Sequence, residues 1–187
     1  MAEMPPVSAA RSVSARICSL YFAVKLRRFG NAVNSAEVAA DVGLPFEAVP
    51  LERMVEADVI ITITSSPAAS LMNAHVSAGT HLACMGTDTK GKQEVEAALL
   101  ARARVFTDEV TQSVTIGEAQ HAVAAGLIRE NDITSIGAVI AGLAPGRQSD
   151  QEITLFDGTG VGLQDLAVAS AAVRLAVERG LAVLVEI

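Results

Sequence analysis

Six consecutive residues, Val59-Ile60-Ile61-Thr62-Ile63-Thr64, are all β-branched, and Ser65-Ser66-Pro67 ends the run. Side chains branched at Cβ suit a pleated strand and are stiff in a helix. A run with no regular polar alternation belongs in a sheet covered on both faces. Shorter apolar runs at His81–Met85, Val105–Thr107 and Glu152–Phe156 read as further strands. Between and beyond them, helical patterns cover Leu51–Glu56, Gln93–Ala103, Gly117–Ala125, Ile133–Ile140 and Leu163–Glu178. Strands alternating with helices at this spacing predict an α/β fold with a doubly wound parallel sheet.

The beginning and end of the chain carry weaker signals. Residues 1–16 read as a disordered tail, with Pro5, Pro6 and scattered serines. The apolar run Ile17–Val24 is followed by Lys25, Arg27 and Arg28 rather than a small-residue cleavage site, so a buried strand is favoured over a targeting segment. Asn34, Glu37 and Gly43 frame a helix over Ala36–Val42, and short strands are expected at Phe46–Val49 and Leu181–Val185. Residues 17–150 are taken as the main α/β domain and 151–187 as a C-terminal strand-helix segment.

Composition narrows the function classes. With 51% hydrophobic and 3% aromatic residues and no Trp, the 187-residue chain builds its core from Ala, Val, Ile and Leu. Its net charge of −7 argues against a phosphate-collecting nucleic-acid surface. No apolar run reaches the roughly 20 residues that span a bilayer. Cys18 and Cys84 lack metal or redox spacing and read as reduced thiols of a cytoplasmic protein. His75 and His81 show no metal spacing, and no metal site is expected.

Ligands of open parallel sheets bind beyond the carboxyl ends of the strands. Three loops fall there. Thr64-Ser65-Ser66 offers hydroxyls and backbone N–H groups to a ribose or pyrophosphate, although Ser-Ser-Pro also ends many strands. Gly86-Thr87-Asp88-Thr89-Lys90-Gly91-Lys92 places a carboxylate beside two lysines, which suits proton transfer, or equally a solvated turn in which Asp88 caps the next helix. Asp157-Gly158-Thr159-Gly160-Val161-Gly162 joins a strand to a helix N-terminus through a glycine-rich turn.

Taken together, these segments resemble the ornithine cyclodeaminase/mu-crystallin family. Ala57 through Ser66 is similar to the fourth strand and loop of that family's dinucleotide domain. Gly86 through Glu94 resembles its G-x-D-x-P-G-K-x-E segment, and Glu152–Asp165 its I-T-L-F-D-S-x-G-x-x-x-Q-D signature. Gly117-Glu118, Gly142 and Gly146-Arg147 fall where the family has similar residues. The resemblance spans about residues 33–180 and implies a partial Rossmann-like domain using NAD or NADP on an amino acid or cyclic imine. It implies Asp88 as the proton-transfer residue, with Gly86 and Thr87 on the nicotinamide side. Thr64 and Ser65 would meet the ribose-phosphate region, and Gly158, Thr159, Gly160 and Val161 would close over the nicotinamide.

The sequence also departs from the family. Lys90 replaces proline, Gly158 replaces serine, and no G-x-G-x-x-G is present. Residues 17–32 do not match the family's second strand, and its substrate and dimerisation region has no counterpart. These departures frame the alternative of a truncated, catalytically inactive fragment or a non-enzymatic binding protein. They also predict that the helix Leu163–Glu178, with Leu166, Ala169, Val173 and Val177 on one face, is left unpacked and promotes self-association or a homo-oligomer.

Overall fold

The computed structural model describes the backbone of residues 17–19, residues 40, 43, 45 and 47, and residues 49–183 and 185. Among the described residues six parallel strands form one sheet: β1 (Ile17–Ser19), β2 (Val59–Thr62), β3 (His81–Cys84), β4 (Ala103–Thr107), β5 (Ile133–Ser135) and β6 (Ile153–Asp157). Their order is β1-β2-β3-β6-β4-β5. The strand expected in the C-terminal segment is therefore an inner one. β6 pairs with β3 from His81↔Thr154 to Cys84↔Asp157, and with β4 from Ala103↔Ile153 to Thr107↔Asp157.

Alternation along the strands selects the better-covered face. Ile60 and Thr62 of β2, Leu82 and Cys84 of β3, and Leu155 and Asp157 of β6 are all at most 1% exposed, whereas their neighbours Val59, Ile61, His81 and Ala83 are half-buried. Against the buried face pack Met54 of a 3-10 segment (Leu51–Glu56), Leu71, Val95, and Leu99 and Leu100 of α1 (Ala97–Leu100). Each fully buried Leu or Ile there contributes on the order of 1.5–3 kcal/mol of transfer free energy. The helices α2 (Val110–Thr115) and α3 (Gln120–Ala124) follow β4, with Ala119 and Ala122 completing the core. On the other face lies α4 (Ile136–Ile140), and α5 (Gly162–Glu178) follows β6.

Several expected elements take another form. The helix expected over Gln93–Ala103 shrinks to Ala97–Leu100. The N–H of Gln93 donates to Ser66 O, and those of Glu94 and Val95 donate to the Glu118 carboxylate. Val95 bridges Leu71 in parallel. These partners hold residues 93–96 outside the helix. The helix expected from Ile133 begins only at Ile136, because Ile133-Thr134-Ser135 pairs with Val105-Phe106-Thr107 as an edge strand. Val110–Thr115, rich in β-branched residues, is nonetheless helical; the Glu109 side chain caps it by accepting from Thr111 N–H.

The tail expected to be disordered over 1–16, and most of the helix expected over Ala36–Val42, fall outside the described residues. Of the expected strand Phe46–Val49, the described Glu47 and Val49 are not in a strand, nor are the described residues of Leu181–Val185. Among the described residues, no helix is long and apolar enough to cross a membrane. α5 carries an open apolar side, with Leu166 62%, Val173 64% and Val177 63% exposed.

Candidate functional site

Because β2, β3 and β6 are parallel neighbours, the loops that leave their carboxyl ends emerge at one edge of the sheet. The Gly86 backbone lies against that of Thr64, and a Cβ at Gly86 would collide with Thr64 N and O. Met85 N–H donates to Thr62 O, and Gly158 N–H donates to Cys84 O at 2.9 Å. All three loops predicted from the sequence thus begin side by side.

Their residues differ in accessibility. Ser65 is exposed, and the Thr64 hydroxyl accepts from Ser66 N–H at 3.3 Å. Thr87 is buried, and its hydroxyl donates to Glu118 Oε2 at 2.5 Å. Asp88 is exposed, paired at 2.5 Å with Lys92 Nζ and accepting from the Thr89 hydroxyl at 3.0 Å. The Lys92 hydrogen bond, opposed by burial and aided by the Thr89 hydroxyl, holds the Asp88 carboxyl below its ordinary value. Asp88 is therefore an ionised carboxylate at neutral pH. The structure shows it ion-paired through Lys92 rather than capping a helix.

In the turn after β6, Gly158 and Thr159 are buried, Gly160 is exposed and Val161 half-buried. Gly160 has φ +75°, a conformation that L side chains rarely adopt. Asp108, at the end of β4, braces this turn: it accepts from Thr159 N–H and hydroxyl and from Gly160 N–H. Burial alone would raise Asp108, but the Thr159 and Gly160 donors outweigh it and hold the group below its ordinary value.

Beneath the edge lie three buried carboxylates that sequence reasoning left without a role. Glu94 accepts from the Thr62 hydroxyl and Gly86 N–H, each at 2.8 Å, and from Thr64 N–H. Glu118 accepts from Thr87, Glu94 N–H and Val95 N–H. Asp157 Oδ2 accepts from the Ser113 hydroxyl at 2.6 Å and from Glu118 N–H at 2.9 Å, while its Oδ1 is buried without a partner. Among the described residues none of the three forms an ion pair. Burial pushes Glu118 up to about 7 and Asp157 up to about 6. A signal was present in the sequence: Glu118 stands between Gly117 and Ala119, and Glu94 beside Val95, with no adjacent base.

A separate cavity of about 320 Å³ lies on the sheet's other face, between His81, Phe106, Thr154, Ile136, Val139 and Arg147. None of the predicted site residues lines it. Among the described residues no group of His, Cys, Asp and Glu is arranged to hold a metal ion.

The profile of the ornithine cyclodeaminase/mu-crystallin family matches residues 24–179, and the chain belongs to that family. It is 65% identical over 153 residues to the iminosuccinate reductase of Paracoccus denitrificans, covering 81% of this chain and 48% of that protein. It is 41% identical over 130 residues to the alanine dehydrogenase of Archaeoglobus fulgidus, covering 69% of this chain and 40% of that protein. The chain thus spans half or less of the length of these relatives. The solved Paracoccus iminosuccinate reductase, in complex with NAD+, superposes with a TM-score of 0.77 over 81% of this chain and 47% of that one. An archaeal alanine dehydrogenase dimer with bound NAD gives 0.75 at 35% identity, over 81% of this chain and 48% of that one. These neighbours share the parallel α/β fold.

Proposed function

We propose that these residues form the nicotinamide-facing edge of an NAD-dependent reductase acting on the imine of a small amino acid. The observation that carries this reading is the meeting of the loops after β2, β3 and β6 at one edge, with Asp88 as the ionised carboxylate of the central loop. The relatives point the same way: an iminosuccinate reductase is solved with NAD+ and an alanine dehydrogenase with NAD. Reduction of an imine and oxidation of the amine are one reaction read in two directions.

The residues present fit one end of such a dinucleotide. Gly86 and Gly160 let backbone approach a flat ring, whereas the sequence contains no G-x-G-x-x-G to cradle a pyrophosphate. When bound, the nicotinamide would supply the hydride for the imine carbon. Asp88 would hold the protonated imine nitrogen by a charge-assisted hydrogen bond while hydride addition gives the neutral amine. In the reverse direction it would take the proton of the ammonium form, so that the neutral amine is the species that loses hydride. Lys92 keeps Asp88 ionised for that role. Thr64 and Ser65 would hold the ribose, and Gly158 through Val161 would hold the nicotinamide end. Cytoplasmic residence and reduced thiols belong to the same reading, with Cys84 buried and not disulfide-bonded.

The test is NADH consumption with an α-imino acid formed in solution from a 2-oxo acid and ammonia. The reading expects turnover that depends on both. NADH binding without turnover would overturn it in favour of a non-catalytic binding protein of the same fold.

A further inference from the structure

The loop that carries Asp88 is held from the side, where Gln120 accepts from Gly91 N–H at 2.8 Å and His121 Nε2 meets Lys92 O at 2.9 Å, and also from below. Thr87 turns its hydroxyl away from the edge into the interior, where Glu118 accepts it. Glu118 in turn accepts the N–H groups of Glu94 and Val95, at 3.0 and 2.8 Å, where the same loop leaves the edge. One carboxylate therefore ties down the segment just before Asp88 and the segment that follows Lys92. Glu94, on that second segment, reaches back to Gly86 N–H and Thr64 N–H. Asp157 receives the N–H of Glu118 and so connects this set to the end of β6.

We propose that Glu118 is a positioning residue that acts through Thr87 and Glu94 to hold Asp88 in register with the turn after β6. Three features favour this over a merely structural buried acid. Glu118 is fully buried, and so are Glu94 and Asp157 beside it, with no ion pair to any of the three among the described residues. An apolar side chain would fill that volume at lower desolvation cost. Its acceptors are spent on loop atoms, Thr87 Oγ1 and the amides of residues 94 and 95, rather than on the strands of the sheet. Among the described residues the Asp88 side chain bonds to Thr89 and Lys92 of its own loop. That loop is tied to Gln120 and His121, just after Glu118, so its place relative to β6 depends on Glu118 and the residues that follow it.

The role in turnover rests on the proposed reductase reading; the mechanical linkage does not. Amide hydrogen exchange of the full chain, compared among Thr87→Ser, Thr87→Val and Glu118→Gln, separates the two. Thr87→Ser keeps the hydroxyl donor, and Thr87→Val removes it at nearly constant volume. Val and Gln are expected to speed exchange of residues 86–92 by about tenfold, the scale of one hydrogen bond to a charged group. Ser should stay near wild type, and the amides of β3 and β6 should be unchanged in all three. Equal behaviour of Ser and Val, or faster exchange throughout the sheet, would overturn the proposal.

In the NADH assay, Val and Gln should lower kcat at least tenfold while leaving the KM for NADH within about twofold, and Ser should restore kcat. A wild-type chain without turnover would sink the reductase reading and leave the linkage to be decided by exchange. Turnover with kcat equal in Ser and Val would sink the positioning role and leave the reductase reading intact.

Discussion

Asp108 Oδ1 accepts both the backbone N–H and the hydroxyl of Thr159, at 3.1 and 2.7 Å, and Asp108 Oδ2 accepts Gly160 N–H at 2.9 Å. The end of β4 thereby dictates the shape of the turn after β6. Asp108→Asn retains one acceptor and loses the other, and Asp108→Ala loses both. Expected costs are about 1 kcal/mol for Asn and about 2–3 kcal/mol for Ala, read from urea unfolding midpoints. NADH affinity should fall in the same order; equal affinity in all three proteins would remove Gly160 from the site.

Stability should decline as pH rises through the weakly acidic range. Burial raises Glu118 from 4.5 to about 7 and Asp157 from 3.8 to about 6. Between the ordinary and raised values the folded state holds protons that the unfolded chain has released. The stabilising contribution is thus full below about pH 4 and lost as pH climbs to 7, each group losing roughly 1.4 kcal/mol for every pH unit crossed between its two values. Asp88 and Asp108, held below their ordinary values, act in the opposite sense, with stability lost only as pH falls through the acid range. A melting temperature several degrees higher at pH 5.5 than at pH 8 is expected, and Glu118→Gln should flatten part of that slope. A higher melting temperature at pH 8 would contradict the assignment.

Asp88→Asn keeps the size of the side chain and removes its charge. Turnover should drop by about 10²–10⁴, the usual scale for a lost acid-base group, with NADH affinity within about twofold of wild type. Lost affinity with normal turnover would reverse the role given to Asp88.

Gly86→Ala places a methyl group against the Thr64 backbone, which has no side-chain freedom with which to yield. About 1–3 kcal/mol of destabilisation is expected, with the loops after β2 and β3 forced apart. A variant as stable as wild type would show that the two loops do not approach as closely as described.

The sheet is legible in the sequence because its signals are local. Val59–Thr62 and Ile153–Asp157 carry β-branched or apolar residues at nearly every position and emerge as inner strands. Local pattern misleads where distant partners override it. Nothing around Gln93 shows that the amides of residues 94 and 95 belong to Glu118, so the segment reads as helix where an extended stretch lies. Ile133-Thr134-Ser135 reads as part of a helix because its pairing partner is β4, more than two dozen residues earlier. At the edge, Asp88, Gly86 and Gly160 announce themselves through loop composition. Asp108 does not, because its contacts to Thr159 and Gly160 exist only once β4 and β6 lie side by side.

The exposed side of α5 gives a solution property to check. Leu166 and Val173 are 62% and 64% exposed on the same helix. Association should rise with protein concentration in sedimentation velocity, and Leu166→Asp with Val173→Asp should suppress it. A monomer at every concentration in the unaltered chain would show that this surface is not adhesive.

Backbone amide shifts followed by NMR during titration with NADH would locate the nucleotide directly. Perturbations gathered at residues 64–66, 86–88 and 158–161 are expected together, because these loops share one edge. Shifts confined to the surroundings of His81 and Arg147 on the opposite face, or none at saturating NADH, would contradict a common nicotinamide edge.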